Sequence, residues 1–375
     1  MVRPVSGPLF DVVYRGPFQG RRISFLLDTL EQLGGTQRFA WLNPGKHWRG
    51  SAAFLPEFMA ERGGVEAMVL DGRPQGLPTA LRVLSGRRRR RASLALAIGF
   101  TSLPFARAVR AERLVWCVNG IPEERLLHHD GGRQRVAVET MWRTARLGRT
   151  PDAAVTVSQP MAELVQDRVG SMPTFVAPTV VNRSTFRLRP PGPGALTYIG
   201  SGAPWQDLPL LAEIWSAVHR LDPRLRFRVV SRDDRADVLR RGLPPDVIES
   251  VSAADPAAVA AQLRDTQLGF IVRRPHVVNT VSYPTKFGEY VASGVGVVTT
   301  DIGWDIGSLV RSTGCGLVLD VDDSPSRMAE HIVGFVSSAG AASDTLTEAC
   351  DAAASALDRA VYVKQLGAFI AGLID

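Results

Sequence analysis

At 375 residues the chain is longer than one ordinary domain and suits two of similar size. Its 45% hydrophobic and 22% charged residues exclude a disordered or fibrous chain, and no apolar run is long enough to span a bilayer as a helix. A formal net charge of +7 favours anionic partners, whether nucleotide-sugars, anionic lipid or nucleic acid, without choosing among them.

In chain order, Asp11–Tyr14 reads as a first strand. The loop Arg15-Gly-Pro-Phe-Gln-Gly-Arg-Arg22 follows, and then Ile23–Leu33 has helical periodicity. Gly16 and Gly20 would let a backbone approach a ligand closely, and the arginines of this loop could meet phosphate, although a lone Gly-x-x-x-Gly turn is also an ordinary strand-to-helix loop. Arg38–Leu42 is a second strand, Pro56–Arg62 a helix and Ala67–Leu70 a third strand. Gly76–Leu84 leads into five consecutive arginines, Arg87, Arg88, Arg89, Arg90 and Arg91. Ser93–Phe100 is apolar enough for a buried strand, and Thr101 begins a turn and helix that end by Arg110. Arg113–Val118 is a strand ending in Asn119-Gly120, Gln134–Leu147 is helical, and Ala153–Val157 is a strand. It hands over to Ser158, a good N-cap for a helix over Met161–Val169. Strand and helix alternate, as in a parallel sheet covered on both faces.

Arg189-Pro-Pro-Gly-Pro-Gly194 is the clearest linker, because consecutive Pro and Gly cannot carry a helix or an interior strand. The pattern then restarts. Strands are expected at Leu196–Ile199, Arg226–Val230, Val247–Val251, Leu268–Val272, Val295–Thr300 and Gly316–Leu319. Helices are expected at Leu208–Leu221, Ala236–Arg241, Pro256–Arg264, Thr285–Ser293, Pro325–Val336, Ser343–Leu357 and Ala360–Ile374. The fold class is therefore α/β, with two doubly wound Rossmann-like halves. The expected division is an N-terminal domain over 1–188, a C-terminal domain over 189–357, and a final helix over 358–375 that returns to the first domain.

Motif absences narrow the chemistry. No Gly-x-Gly-x-x-Gly follows the first strand, which disfavours a dinucleotide oxidoreductase, and there is no P-loop. Cys117, Cys315 and Cys350 are too few and scattered for a disulfide framework or a zinc site. No DxD-like carboxylate pair sits at a strand end, and Asp322-Asp323, which follows a strand, reads as a turn, so no metal is expected. The N-terminal residues lack an apolar signal core, so a cytoplasmic location is expected. In open parallel sheets, ligands bind beyond the carboxyl ends of the strands. That rule selects Arg15–Arg22, Asn119, Gly120, Gly200, Ser201, Ser231, Arg273, Arg274 and the helix that carries Lys286.

The most informative stretch is Ser282–Thr300. Pro284 suits the first turn of a helix, Gly294 suits its end, and a β-branched run follows, as in a strand buried on both faces. Lys286 and Glu289 share one face near the helix start, where free N–H groups add positive potential. A lysine there suits a phosphate, and a carboxylate one turn on suits sugar hydroxyls; the plain alternative is a surface ion pair. Only Lys46, Lys286 and Lys364 are lysines among 44 Lys plus Arg, so this chain uses arginine where a generic cation will do.

Pro-Thr-Lys-Phe-Gly-Glu-Tyr-Val-Ala-Ser-Gly-Val-Gly-Val-Val resembles the donor-site segment of family 4 glycosyltransferases. The resemblance spans Trp116 to about Val321 and is most specific at Pro284–Val298. It implies the GT-B fold, with the two halves facing across a cleft, and retaining transfer from a nucleotide-sugar, UDP-linked by expectation, without metal. It also implies that Glu289 binds the nucleotide ribose and that Thr285, Gly200, Ser201 and Ser231 lie along the nucleotide. Lys286 would meet the diphosphate, with Arg273 and Arg274, just past a strand end, as candidate further cations; the plain alternative for the two arginines is a solvated pair. Val281 stands where many relatives have a first glutamate in E-x7-E, Asn119 where they have a histidine against the transferred sugar, and Trp205-Gln206 where they carry an Arg and a Lys. Arg15, Gly16 and Gly120 fall on the acceptor side. The expected acceptor is a glycan or lipid-linked glycan in bacterial cell-surface polysaccharide or glycoconjugate synthesis. The departures motivate an alternative, a glycosyltransferase-like binding or scaffold protein without transfer activity. The run Arg87–Arg91 precedes a strand and so lies away from the substrate edge. It is expected to be either a solvated loop or a dock on an anionic membrane surface. No nucleic-acid module is recognisable.

Overall fold

A computed structural model of the chain describes residues 8–15, 20–43, 65–71, 76–86, 91–129, 131–189, 194–253, 255–338 and 344–375. The expected helix at Pro56–Arg62, as well as Gly16 and Arg87–Arg90, lies outside the described residues. The chain divides into two compact units, Met1–Ala177 with Ala360–Asp375, and Pro178–Arg359. The change of unit falls at Ala177 and Pro178, ahead of the Pro/Gly run. The intervening segment is held within the second unit, where Thr179 Oγ1 donates to the Tyr283 carbonyl at 2.7 Å and Arg183 pairs with Asp351.

In the first unit the described elements run β1 (Leu9–Arg15), α1 (Gly20–Glu31), β2 (Thr36–Asn43), β3 (Val65–Asp71), α2 (Leu77–Gly86), β4 (Ala92–Ile98), α3 (Leu103–Ala108), β5 (Ala111–Val118), α4 (Glu124–His128), α5 (Gly132–Arg146), β6 (Ala153–Thr156), α6 (Gln159–Val169) and β7 (Thr174–Val176). The strands form one parallel sheet ordered β3-β2-β1-β4-β5-β6-β7. β4 and the second half of β5 are buried throughout apart from Ser93, as expected of strands covered on both faces. Ser158 caps α6 by accepting from Met161 N at 3.1 Å.

In the second unit the elements run β8 (Ala195–Ile199), α7 (Leu208–Leu221), β9 (Phe227–Val230), β10 (Ile248–Val251), α8 (Pro256–Gln262), β11 (Thr266–Ile271), α9 (Val277–Thr280), α10 (Thr285–Ala292), β12 (Gly296–Thr300), α11 (Asp305–Thr313), β13 (Gly316–Leu319), α12 (Pro325–Ser337) and α13 (Asp344–Ser355). The sheet is parallel, ordered β10-β9-β8-β11-β12-β13. Its core joins Trp215 and Ile214 of α7 to Phe227, Phe270 and Met328. The last helix, α14 (Arg359–Ile374), packs with the first unit; Tyr362 and Phe369 meet Phe175, and Arg113 donates to the Leu373 carbonyl. In each sheet the strand order reverses beside the first strand, at β1/β4 and at β8/β11. Such switch points leave a crevice at the carboxyl edge.

Two differences from the sequence reading have local causes. α11 escapes periodicity because Gly307, a poor helix former, sits in its first half, where the absent side chain leaves room for the Trp304 ring. Expected helix at Ala236–Arg241 is instead a tighter 3-10 turn over Asp234–Arg240, started by Asp233 accepting from Arg235 N.

Candidate functional site

In the second unit, the carboxyl edge gathers residues from four stretches of chain. α10 starts at Pro284 and ends at Gly294, whose φ of 77° terminates the helix before β12. Lys286 is 7% exposed and Glu289 6% exposed, so neither belongs to a surface ion pair. The Lys286 ammonium donates to Gln206 Oε1 at 3.1 Å and lies 4.0 Å from the centroid of the Tyr198 ring. Burial first, and Arg273 second, pull its pKa well below the ordinary lysine value; Glu289 acts in the opposite direction. Gly200 closes this pocket. Its φ is 141°, and a Cβ there would lie 3.0 Å from both Lys286 Nζ and Tyr198 Oη. The Tyr198 hydroxyl donates to the Ser201 carbonyl at 2.6 Å, which fixes the ring beneath the lysine.

Arg273, 3% exposed, follows β11. Its Nη1 donates to Asn279 Oδ1 at 3.2 Å and Ser282 Oγ at 2.7 Å, and its guanidinium lies 5.5 Å from the Trp304 ring centroid. Its backbone N–H donates to Thr300 Oγ1 on the neighbouring strand. Arg274 is placed differently. It is exposed and donates to Asp207 at 2.6 Å, so its charge is matched by a carboxylate. Ser231 accepts from Asp233 N at 3.0 Å, and Asp233 accepts from Gly202 N at 2.9 Å, which ties the Gly200–Gly202 turn to the turn after β9. Hydrogen bonding from Arg235 holds the Asp233 carboxyl at about 2. Thr285 is exposed at the first position of α10. Val281 is buried at the end of α9, an apolar packing position.

Tyr290 takes over where the strand pairing at the switch point ends. The β8/β11 ladder stops at Thr197 and Gly269. Beyond it, the buried Tyr290 hydroxyl accepts from Ile199 N at 2.9 Å and donates to the Thr197 carbonyl at 3.3 Å. Its ring fills the space beside Gly269, where a Cβ would come within 2.5 Å of ring carbons. The side chain thus substitutes for strand pairing at the switch point.

In the first unit, the carboxyl edge is knitted by main-chain contacts. Arg15 N donates to Ser102 Oγ at 2.8 Å, and Thr101 Oγ1 donates to the Arg15 carbonyl at 2.6 Å. Asn119 and Gly120 are half-buried after β5. Asn119 Oδ1 lies near Gly99, and the Glu124 carboxylate lies against Gly120. Glu123, buried, accepts from Trp142 Nε1 at 2.8 Å. Arg91, the described member of the arginine run, is exposed and 3.7 Å from Glu112.

The sequence reading did not find Gln206 and Tyr198 around Lys286, nor Asn279, Ser282 and Trp304 around Arg273. Their roles depend on sheet topology, and only the position of Gln206 just after the Gly200 turn was a usable signal. Among the described residues, no group of three or more His, Cys, Asp or Glu side chains forms a metal-binding set, and no helix is long and apolar enough to cross a membrane.

No family model matches the chain, and no curated protein matches it. Solved structures do. Sucrose-phosphate synthase from Thermosynechococcus elongatus is similar at 13% identity and a TM-score of 0.72, over 98% of this chain and 99% of that one. Anabaena HepE, solved in complex with UDP-glucose, is similar at 12% identity and 0.73, over 97% and 99%. WaaG, a glycosyltransferase involved in lipopolysaccharide biosynthesis, is similar at 13% identity and 0.66, over 97% and 100%. The chain has the GT-B fold of these glycosyltransferases.

Proposed function

We propose that the protein is a retaining glycosyltransferase that moves a sugar from a nucleotide-sugar, with UDP as the nucleotide, to a glycan or lipid-linked acceptor. The observation that carries this reading is buried Lys286 set against the Gly200 turn at a topological switch point, with buried Arg273 and Glu289 close enough to act on its charge. Two buried cations at a strand edge suit a diphosphate, and the similar folds include one solved with UDP-glucose. In this reading the Lys286 ammonium and Arg273 guanidinium stabilise the charge that builds on the leaving diphosphate. Their groups are held before reaction, Lys286 by Tyr198 and Gln206, Arg273 by Asn279 and Ser282, so little reorganisation accompanies bond cleavage. Glu289 accepts the ribose hydroxyls and Thr285 and the Ser231 turn flank the nucleotide. Arg274, matched by Asp207, stands outside the diphosphate contact. Asn119 offers hydrogen bonds but no charge change to the transferred sugar. The nucleoside diphosphate leaves the sugar, and the acceptor hydroxyl attacks the anomeric carbon on that same face. Reversible attachment to an anionic membrane through Arg87–Arg91 would suit a lipid-linked acceptor.

The test is thermal stability against a panel of nucleotides and nucleotide-sugars, because a ligand that binds only the folded state raises its apparent stability. UDP and one UDP-sugar are expected to stabilise the protein and that UDP-sugar to be consumed. Stabilisation by no nucleotide, with no consumption of any donor, overturns the reading.

A further inference from the structure

The second unit carries a basic hollow at the far end of α10 from Lys286. Its volume is about 370 Å³, and Arg187, Arg189 and Arg264 line it together with Ser184, Thr185 and Ser293. Arg264 shortly precedes β11 and Ser293 shortly precedes β12, so the hollow lies at the amino edge of the second sheet. α10 runs between the two edges, with Lys286 in its first turn and Ser293 just past its end. The helix rises about 10 Å from one to the other. All three arginines are exposed, so a solute reaches them from water.

Local structure holds the arginines in place. Asn182 Oδ1 accepts from Ser184 N at 3.0 Å and from Ser184 Oγ at 2.7 Å, and buried Phe186 anchors the chain before Arg187. Gly294 admits the Arg189 backbone, since a Cβ there would overlap the Arg189 carbonyl oxygen. α8 contributes Ala257 and Ala260, whose short side chains leave the hollow unfilled. The charge is unbalanced. Among the described residues no carboxylate lines the hollow, and none of the three arginines makes an ion pair. Their side chains make one hydrogen bond there, from Arg187 Nε to the Ser184 carbonyl at 3.4 Å. Arg183, in the same segment, by contrast pairs with Asp351. Asp265, next to Arg264, lines a separate hollow with Arg224 and Arg226. Residues 190–193, which follow Arg189, include no acid. One exposed ion pair contributes little, but three planar forks around one concave space match the several oxygens of one phosphate group. The hydroxyls can donate to or accept from the same ligand.

We propose that this hollow is a phosphate-binding site of its own, distinct from the donor site, and that Arg187, Arg189 and Arg264 hold the phosphate group of its ligand. The site lies wholly within the second unit and does not rest on the glycosyltransferase reading. A soluble sugar phosphate and a lipid phosphate headgroup share the chemistry. In either, the phosphate supplies the counter-charge that the walls lack and relieves the repulsion among the three guanidinium groups.

The experiment compares wild type with two variants. Arg187→Gln with Arg264→Gln removes charge at exposed positions, and Ala257→Trp keeps every charge but fills the hollow. Thermal stability is followed while inorganic phosphate and then glucose 6-phosphate are titrated at constant low ionic strength, because exposed charges are screened by salt. Each titration is repeated in excess UDP, and the response to UDP alone is recorded for every protein. A parallel arm measures co-sedimentation with phosphatidic acid vesicles and with neutral phosphatidylcholine vesicles. Wild type is expected to be stabilised by phosphate with or without UDP. The apparent phosphate affinity should fall by about tenfold or more in the double variant and in Ala257→Trp, with the UDP response unchanged in both. Sedimentation with phosphatidic acid vesicles that both variants lose assigns the phosphate to a lipid; a response to the soluble phosphates alone assigns it to a soluble ligand. The proposal is overturned if phosphate does not stabilise wild type, or if either variant keeps the wild-type phosphate affinity. It is equally overturned if UDP abolishes the phosphate response of wild type, since phosphate then sits at the donor site. Absence of any UDP response, with the phosphate response intact, sinks the donor reading alone.

Discussion

Donor binding should draw a proton into the protein. Lys286 is 7% exposed, and its ammonium has one neutral hydrogen-bond acceptor, Gln206, and the face of Tyr198 at 4.0 Å. A desolvated cation–π contact contributes about 2 kcal/mol, whereas removing an ammonium from water costs several kcal/mol. Arg273 adds repulsion, and Glu289 offsets only part of it, so the pKa falls well below the ordinary lysine value. A diphosphate reverses the balance by favouring the charged form. Above the lowered pKa the free protein holds this lysine neutral, so binding takes up a proton. Affinity should therefore fall as pH rises through the free-state pKa, by up to about tenfold, or about 1.4 kcal/mol, per pH unit. Folding without ligand responds with the opposite sign. The unfolded chain binds the proton more readily, so without ligand the Lys286 contribution makes stability rise with pH from the lowered pKa to the unfolded one. The assay is titration calorimetry with UDP-glucose at a series of pH values up to the ordinary lysine value of about 10.4, in pairs of buffers of different ionisation enthalpy. The heat should depend on the buffer, and Lys286→Met should remove that dependence. Tight UDP-glucose binding whose heat is independent of buffer across the range would refute the reasoning, as would an identical pH profile in Lys286→Met.

The remaining predictions concern the same edge. Tyr290→Phe leaves Ile199 N without its acceptor and should cost about 1–3 kcal/mol in unfolding free energy, read by urea denaturation, while raising the donor KM as the crevice relaxes. Gly200→Ala forces a side chain into a φ of 141° and against the lysine, so it should cost about 1–3 kcal/mol and depress kcat. Steady-state kinetics at wild-type levels would show that the turn is not part of the donor site. Lys286→Ala should lower turnover about a hundredfold or more, whereas Glu289→Ala should chiefly weaken nucleotide binding. Wild-type turnover and donor KM in both would show the donor site to be misplaced.

The fold was legible wherever local pattern and burial coincide. Leu208–Leu221 was readable to the residue because its apolar face repeats without interruption, and Gly316–Leu319 because a short apolar run lies between glycine and Asp320. Thr174–Val176 was not, because a half-buried strand of three residues has no period to read. The same division holds in the candidate site. Lys286, Glu289 and the Gly294 stop lie in one segment, so their spacing could be read directly. Gln206 stands 80 residues from Lys286, and the two meet only because β8 and β11 are adjacent in a sheet whose order reverses between them. Arg273 and Arg274 looked equivalent in sequence. Burial over Trp304 and a carboxylate at Asp207 separate them, and both are consequences of tertiary placement.

The surplus of arginine has a structural use that the net charge conceals. Arg107 donates to the carbonyls of Thr144, Ala145 and Arg149, Arg146 to that of Arg168, and Arg149 to those of Ala111 and Glu112. Several of these carbonyls lie at helix or strand ends, where main-chain acceptors lack partners. A guanidinium spans two or three of them at once; an ammonium on a flexible stem does so poorly. The placement of these three arginines is thus set by main-chain acceptors of the fold and needs no anionic partner to explain it. Lys286 and Arg273 differ from these arginines: both are buried, and their side chains donate to neutral groups, Gln206 in the first case and Asn279 and Ser282 in the second. Both stand at the carboxyl edge of the second sheet, so in the proposed function a diphosphate would meet cationic groups already removed from water, which is why its binding should be coupled to protonation of Lys286.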